Sequence, residues 1–263
     1  MAEGPLAAEL KSRALVGVIG PDWRDFLQGL LSQDVETLGP GELRFGALLT
    51  PQGKLLFDLF ILGRDDGCWL DVAADRREAL IQRLTIYRLR AKVEIAAVEA
   101  SVWAVWNGAA GGAPDPRLLA LGRRAYGRTP GGAAITDEAA YNTMRLALGV
   151  PDAAKDAPDD YPIEANFDRL NGIDFQKGCF VGQETTSRMK RRGQIKSRML
   201  PLVFEGAAPP FGAEVMAGAL RAGEVRSGAE GRAMALLRLD RIAGAALSVD
   251  GRAVAVERPA YVD

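Results

Sequence analysis

The sequence predicts an α+β protein that closes with a small antiparallel β-barrel or sandwich. Strand-like pairs between residues 43 and 106 are interrupted by single helices, without the regular strand–helix repeat of a doubly wound sheet. After Gly193 the helical patterns give way to short β-like runs. The length, 263 residues, is more than one compact core usually holds, so two or three domains are expected.

The first convincing element is a helix opened by Pro21-Asp22 and ended by Gln33-Asp34, with Trp23, Phe26, Leu27, Leu30 and Leu31 on one apolar face. Strands follow over 43–50 and 55–62, joined by the hairpin turn Pro51-Gln52-Gly53-Lys54. Asp58 interrupts the apolar run of the second strand. Alternation puts it on a solvated strand face, and the functional alternative is a carboxylate aimed into a cleft. A strand over 67–73 leads to a helix capped by Asp75 that runs to about Arg90, then to strands over 92–98 and 102–106. Residues 107–116 read as a loop and 118–127 as a strand. Asp137 starts a helix carrying Tyr141, Met144 and Leu148, which stops at Gly149-Val150-Pro151. A polar linker over 151–162 and a short helix over 163–168 complete this half. Four β segments are expected beyond Gly193, over 195–205, 219–226, 233–239 and 246–257, the last folded at Asp250-Gly251.

Composition excludes several function classes. A net charge of −1 gives no global attraction to nucleic acid. No apolar run approaches the ~18 to 20 residues of a membrane span, so no membrane association is expected. Glu3 and Glu9 precede Lys11 and Arg13, which is not a secretory pattern, and a cytoplasmic location is the resulting expectation. With no histidine, neither a Ser-His-Asp nor a Cys-His nucleophile can be assembled. The two cysteines, Cys68 and Cys179, cannot supply the four thiolates of an ordinary iron–sulfur cluster, so cluster chemistry would require a second protein. Cys68 lies in a strand-like run and reads as core or edge packing.

The stretch from Lys177 to Gly193 combines more chemistry than any other. Gly178 and Gly182 bracket Cys179 and suit a tight backbone path. No Gly or Pro interrupts 183–192, and Gly193 stands where a helix would stop. Cys179 therefore falls in a turn just before a helix, where backbone N–H groups favour a thiolate or an anion. Between 177 and 198 seven basic residues (Lys177, Arg188, Lys190, Arg191, Arg192, Lys196, Arg198) face one acid, Glu184.

Lys177-Gly178-Cys179-Phe180-Val181-Gly182-Gln183-Glu184 resembles the K-G-C-[YF]-x-G-Q-E signature of the YgfZ family, folate-binding proteins linked to iron–sulfur protein maturation. Further blocks stand in family order: 26–35, Thr50 to Lys54, Pro162 to Phe167 and the tail near Arg232 to Asp240. More distantly, the chain is similar to the glycine-cleavage T-protein, a tetrahydrofolate-dependent aminomethyltransferase. That resemblance implies a ring of three domains around a central folate site. The expected parts are an N-terminal α+β folate-binding domain (1–100), a middle α+β domain ending in the Cys179 motif (101–192) and a C-terminal barrel (193–263), the first two free to interleave. The match is incomplete. Of the paired acids near the T-protein folate only Asp58 is present, with Phe57 beside it. Ala147 replaces the pteridine-binding acid of the R-L-E-A-G block, and Cys179 stands where the T-protein commonly has Asp. These departures count against the transferase reaction and leave folate binding in place.

The family resemblance implies a tetrahydrofolate-binding protein acting in assembly or repair of iron–sulfur clusters in client enzymes. Cys179 would be its essential thiol, for redox exchange, sulfur transfer or cluster contact. Tetrahydrofolate or a related folate is the expected cofactor. Phe57, Asp58, Asn166 and Phe180 are the candidates for its rings, and Lys177, Gln183, Arg188 and Arg192 complete the binding set. Cys179 and Asp58 are the candidate catalytic residues. Expected partners are iron–sulfur client or assembly proteins, and the protein itself is expected to be a monomer. Direct nucleic-acid binding is not expected, because 190–198 lacks interleaved aromatics for base stacking. Two alternatives stay open: a folate-dependent aminomethyltransferase or demethylase using Asp58, and a nucleic-acid binder associated with transfer-RNA modification.

Overall fold

The computed structural model describes residues 4–108, 111–193 and 195–262, apart from the side chain of Arg192. The elements in chain order are β1 (Leu6–Glu9), β2 (Arg13–Ile19), α1 (Trp23–Gln28), β3 (Leu43–Leu49), β4 (Leu55–Gly63), β5 (Gly67–Ala73), α2 (Arg77–Arg88), β6 (Glu94–Val98) and β7 (Val102–Trp106). They continue with β8 (Ala113–Pro114), β9 (Arg123–Tyr126), β10 (Ala134–Thr136), α3 (Glu138–Ala147), α4 (Ala153–Asp156) and α5 (Gln183–Arg192). The rest comprises β11 (Ser197–Val203), β12 (Glu214–Ala217), β13 (Leu220–Ala229), β14 (Arg232–Arg238), α6 (Leu239–Ile242), β15 (Leu247–Val249) and β16 (Arg252–Val256).

The strands form two five-stranded sheets and a closed barrel, which is the α+β architecture with a C-terminal antiparallel barrel that the sequence predicts. The first sheet runs β3-β4-β5-β2-β6 and is antiparallel throughout. The second runs β10-β1-β7-β9-β8, with β1 and β10 parallel. Strand β1 thus leaves its sequence neighbour β2 and joins a sheet otherwise built from 102–136. The barrel order is β11-β14-β13-β12-β15-β16.

Alternation along β4 organises the layers. Phe57, Leu59 and Ile61 face a core shared with α1 and α2, through Trp23, Leu27, Leu80 and Leu84. Leu55, Phe60 and Leu62 join the opposite core, with Phe45, Phe167, Phe180 and Met199. The Phe45 ring packs 4.6 Å from Phe167 and 4.9 Å from Phe60. Asp58 shares the parity of Phe60 and is buried, 7% exposed, so the solvated-face expectation is overturned. Its carboxylate is paired with Arg13 from β2 instead.

Other expectations need correction. Helix α1 stops at Gln28, although Leu30 and Leu31 are buried as the periodicity requires. The chain unwinds there because Ser32 is taken up by β3: its N–H donates to the Ala47 carbonyl and its Oγ accepts from the Ala47 N–H. Asp75 makes no side-chain cap; a single 3-10 turn over Ala74–Arg76 precedes α2. The 118–127 strand is divided by Gly122, at φ +83°, where any Cβ would overlap the Val105 carbonyl. The polar linker contains α4 and buries Asp156 and Ala157. Residues 163–168 are successive turns rather than a helix. Strands β1, β2, β10 and β12 lie outside every predicted segment, and β8 falls within the predicted loop 107–116. Helix α5 matches its expected span, with Gly182 and Gly193 as left-handed caps, and α3 is capped by Asp137, which accepts from the Ala140 N–H.

Arg198, one of the seven basic residues counted between 177 and 198, is buried at the start of the barrel. Its two terminal nitrogens hold Asp168 at 2.9 and 2.8 Å, and Nη1 also reaches Asn166 Oδ1 and the Ile163 carbonyl, both at 3.0 Å. Replacing Arg198 by Ala strands Asp168 beside the barrel, so Arg198→Ala is expected to cost about 3–5 kcal/mol in urea unfolding.

Candidate functional site

Two regions far apart in sequence build the surroundings of Cys179. One is the turn after α1, residues 28–33, and the other is the loop from Gly172 to Gly182. Ser32 Oγ donates to the Gly172 carbonyl at 2.7 Å, and the Ser32 carbonyl accepts from the Asp174 N–H at 2.9 Å. Asp174 Oδ1 accepts from the backbone N–H groups of Gln176 and Lys177. The Lys177 ammonium then spends all three protons on carbonyls of the facing turn, those of Gln28, Leu31 and Gln33, at 2.8, 2.7 and 2.9 Å. Burial lowers its pKa to about 8, while the three carbonyls select the charged form. Past the cysteine, Phe180 is buried and Val181 N–H donates to the Gly29 carbonyl.

The loop is also pinned from the β3–β4 hairpin. Gly182 has φ +81°, and a Cβ there would meet the Thr50 carbonyl at 2.6 Å and Gly53 Cα at 2.9 Å. Gly53, at φ +82°, returns the contact against Thr185. Cys179 is therefore exposed on a loop fixed before and after it. Cys68 is buried, and burial pushes its thiol pKa far up. One thiol is available for chemistry and one is packing. Among the described residues no group of three or more His, Cys, Asp or Glu side chains could hold a metal ion.

A second polar region lies where the two sheets and the 150s segment meet. Asp71 of β5, 1% exposed, accepts from Arg13 Nε and Arg124 Nη1, each at 2.6 Å, and from the Tyr126 hydroxyl at 3.1 Å. Arg13 Nη1 holds Asp58 at 2.9 Å. Arg117 forms a bidentate pair with Asp115 at 3.0 and 2.8 Å and donates to the Tyr141 hydroxyl at 2.9 Å. Burial would raise the Asp115 carboxyl, but Arg117 and Arg124 overcome it and hold it below the usual range. Arg124, Arg117 and Arg13 crowd the Phe60 ring, at 3.5, 4.8 and 5.6 Å from guanidinium carbon to centroid.

The residues proposed from sequence are thus divided. Cys179, Lys177, Phe180 and Gln183 share the loop and the first position of α5. Arg188 is exposed on the same helix, and the Arg192 side chain lies outside the described residues. Asp58 sits in the central ion network. Phe57 points to the opposite side of β4, its ring 5.0 Å from the Arg76 guanidinium. Asn166, at φ +63°, is fully buried and donates to the Met199 carbonyl, tying the middle segment to the barrel. Sequence reasoning missed Arg13, Asp71, Arg117 and Arg124. Asp71 carried the same signal as Asp58, a charge inside an apolar strand, whereas Arg13 stands at the start of its strand and gave none.

Comparison with known proteins places this geometry. A family model described as the CAF17 C-terminal beta-barrel domain matches residues 196–263. The mitochondrial iron–sulfur cluster assembly factors IBA57 of Homo sapiens and Mus musculus are each 30% identical to the chain, over 89% of it and 78% of their own length. The chain belongs to the IBA57 family. An IBA57 homolog from Neurospora crassa is 33% identical over 78% of the chain but 56% of its own length, so the chain spans little more than half of such fungal relatives. Among solved structures, glycine cleavage system aminomethyltransferase T from Bartonella henselae superposes with a TM-score of 0.78 over 98% of the chain and 86% of its own, at 18% identity, which establishes the T-protein-like fold. The narrower YgfZ assignment is not what these comparisons return. The cytoplasmic expectation is overturned: the IBA57 relatives are named as mitochondrial, pointing to mitochondria, and an N-terminus unlike a secretory signal did not bear on that choice. Among the described residues no helix is long and apolar enough to cross a membrane.

Two outcomes are expected of the thiols and the loop. A colourless-to-yellow disulfide reagent should titrate one thiol per native chain and two after unfolding in denaturant. Lys177→Ala frees three carbonyls and should destabilise the protein by about 1–3 kcal/mol, with faster amide exchange confined first to 28–33 and 172–181.

Proposed function

We propose that this chain acts in iron–sulfur cluster assembly by presenting Cys179 as a single thiolate to a cluster that a partner protein also ligates. The observation that carries this reading is an exposed cysteine on a loop fixed by Lys177 and Gly182, in a member of the IBA57 family. A lone thiol cannot hold a cluster, and no second cysteine is accessible, so the remaining ligands must come from elsewhere. A rigid exposed thiolate suits this task because it adds one soft ligand without reorganising the loop. The cluster is substrate or cargo here, not a resident group.

The flanking charge supports the same reading. Arg188, Lys190 and Arg191 are exposed on α5, and Lys196 follows it. A thiolate-ligated cluster carries net negative charge, so this basic flank favours its approach and that of an acidic client or assembly partner. The transferase alternative draws no such support, because the Asp58 carboxylate is consumed by Arg13. Tetrahydrofolate has the T-protein-like fold in its favour and stays outside this proposal.

Cys179→Ser removes the soft ligand and little else, since the side chain is exposed. In cells deleted for this protein the variant should fail to restore iron–sulfur enzyme activity, while the purified variant keeps the parental Tm. Full rescue by Cys179→Ser would remove the thiol from the mechanism.

A further inference from the structure

We propose that the centre of the ring in this chain is filled by its own arginines and admits no folate. The inference is independent of the role given to Cys179. It concerns the region where the T-protein resemblance puts the ligand, lined by Arg13, Asp58, Phe60, Arg117, Arg124 and Tyr141 among others.

Space is the first argument. The cavity left among these side chains is about 20 Å³. That is room for roughly one water, whereas sites that bury small organic molecules span roughly 300–1,000 Å³. The neighbouring hollow beside Phe57, Asp58 and Arg76 adds only about 80 Å³. Larger grooves lie outside, of about 530 Å³ and 940 Å³. Arg117 lines both the first groove and the centre, and Arg124 both the second and the centre. These two side chains are the wall between the outer grooves and the interior.

Partnering is the second argument. A pterin needs a carboxylate for its amidine-like edge and an aromatic or apolar face for its ring. The face here is Phe60, and the Arg124 guanidinium already lies 3.5 Å from its centroid. Asp58, Asp71 and Asp115 are each already held by arginine at 2.9, 2.6 and 2.8 Å. The two other carboxylates at the cavity wall are engaged as well: Glu138 accepts from the Ser12 N–H and hydroxyl, and Asp152 pairs with Lys155 at 3.5 Å. Ala147, where the T-protein block has its acid, is exposed at the end of α3 and offers no replacement. Admitting a pterin requires moving Arg124 off Phe60 and away from Asp71, which leaves a buried carboxylate short of a partner as well as a displaced cation.

The test combines calorimetry and NMR on the full chain. Tetrahydrofolate is titrated anaerobically to about 1 mM, and the Arg Nε–H resonances of ¹⁵N-labelled protein are followed in parallel. Arg13 Nε and Arg117 Nε donate to Asp71 and Asp115, so their signals report the state of the centre directly. The expected result is no saturable heat, corresponding to a Kd weaker than about 1 mM, and unmoved resonances. Saturable binding that leaves them unmoved places the ligand in an outer groove and upholds the inference. Saturable binding that shifts the Arg13, Arg117 and Arg124 signals together overturns it. None of these outcomes depends on cluster assembly, so the two proposals stand or fall separately.

Discussion

The carboxylate of Asp71 is the fixed point of this structure. It belongs to β5 of the first sheet and receives Arg13 from β2 of the same sheet, yet it also receives Arg124 and Tyr126 from β9 of the second. A buried carboxylate cannot remain without compensating donors, so the second sheet has to dock where these donors reach it. Arg124 in turn lies against Phe60, which packs on Phe45 and through it on Phe167. Charge complementarity at one point thereby fixes the approach of two sheets, and apolar packing carries the register on toward the segment that precedes the cysteine loop. The arrangement specifies one docking geometry more than it adds stability, because buried ion pairs largely repay their own desolvation.

The cysteine loop obeys a different rule. Its fixed partners are backbone carbonyls and close glycine contacts, which depend on local chain path rather than on distant charges. Lys177 joins this loop to the turn after α1 across nearly 150 residues of sequence, and Gly182 against Thr50 joins it to the β3–β4 hairpin. Three of the five blocks that resembled one family in the sequence, around residues 26–35, 50–54 and 177–184, are therefore one object in space. Their wide separation hides a single loop support. Exposure of Cys179 and immobility of its backbone are produced together, which is what a thiol meeting a partner-held cluster requires.

Much of this was legible beforehand for definable reasons. Helix α5 was readable because Gly182 and Gly193 bracket an unbroken run, and the barrel because Asp250-Gly251 and short alternating segments punctuate it. Helix α1 was read too long, since burial of Leu30 and Leu31 continues after Ser32 has been recruited by β3, and periodicity reports burial rather than helix. Asp58 was read as solvated because alternation distinguishes two faces of a strand but not which of them is covered. Strand β1 is too short and alanine-rich to show a pattern, and the apolar run of β2 has no alternation to mark it as a strand. Lys177 and Arg198 were counted in the local positive excess, and only the fold reveals that one is enclosed by carbonyls and the other is paired with Asp168. Charge counting along a sequence cannot register such engagement.

The parallel seat of β1 beside β10 has a consequence in time. During synthesis Leu6–Glu9 emerges first, but its hydrogen-bonding partners in β7 follow roughly a hundred residues later and those in β10 later still. The first sheet, β2 through β6, is by contrast complete before β7 appears. Its β5 then exposes Asp71 without the donors from β9. The nascent chain consequently carries an unpaired strand β1, and an Asp71 compensated by Arg13 alone, until the second sheet has been synthesised. The closing of the second sheet ends that interval in one event, covering the edges of β1 and bringing Arg124 and Tyr126 to Asp71.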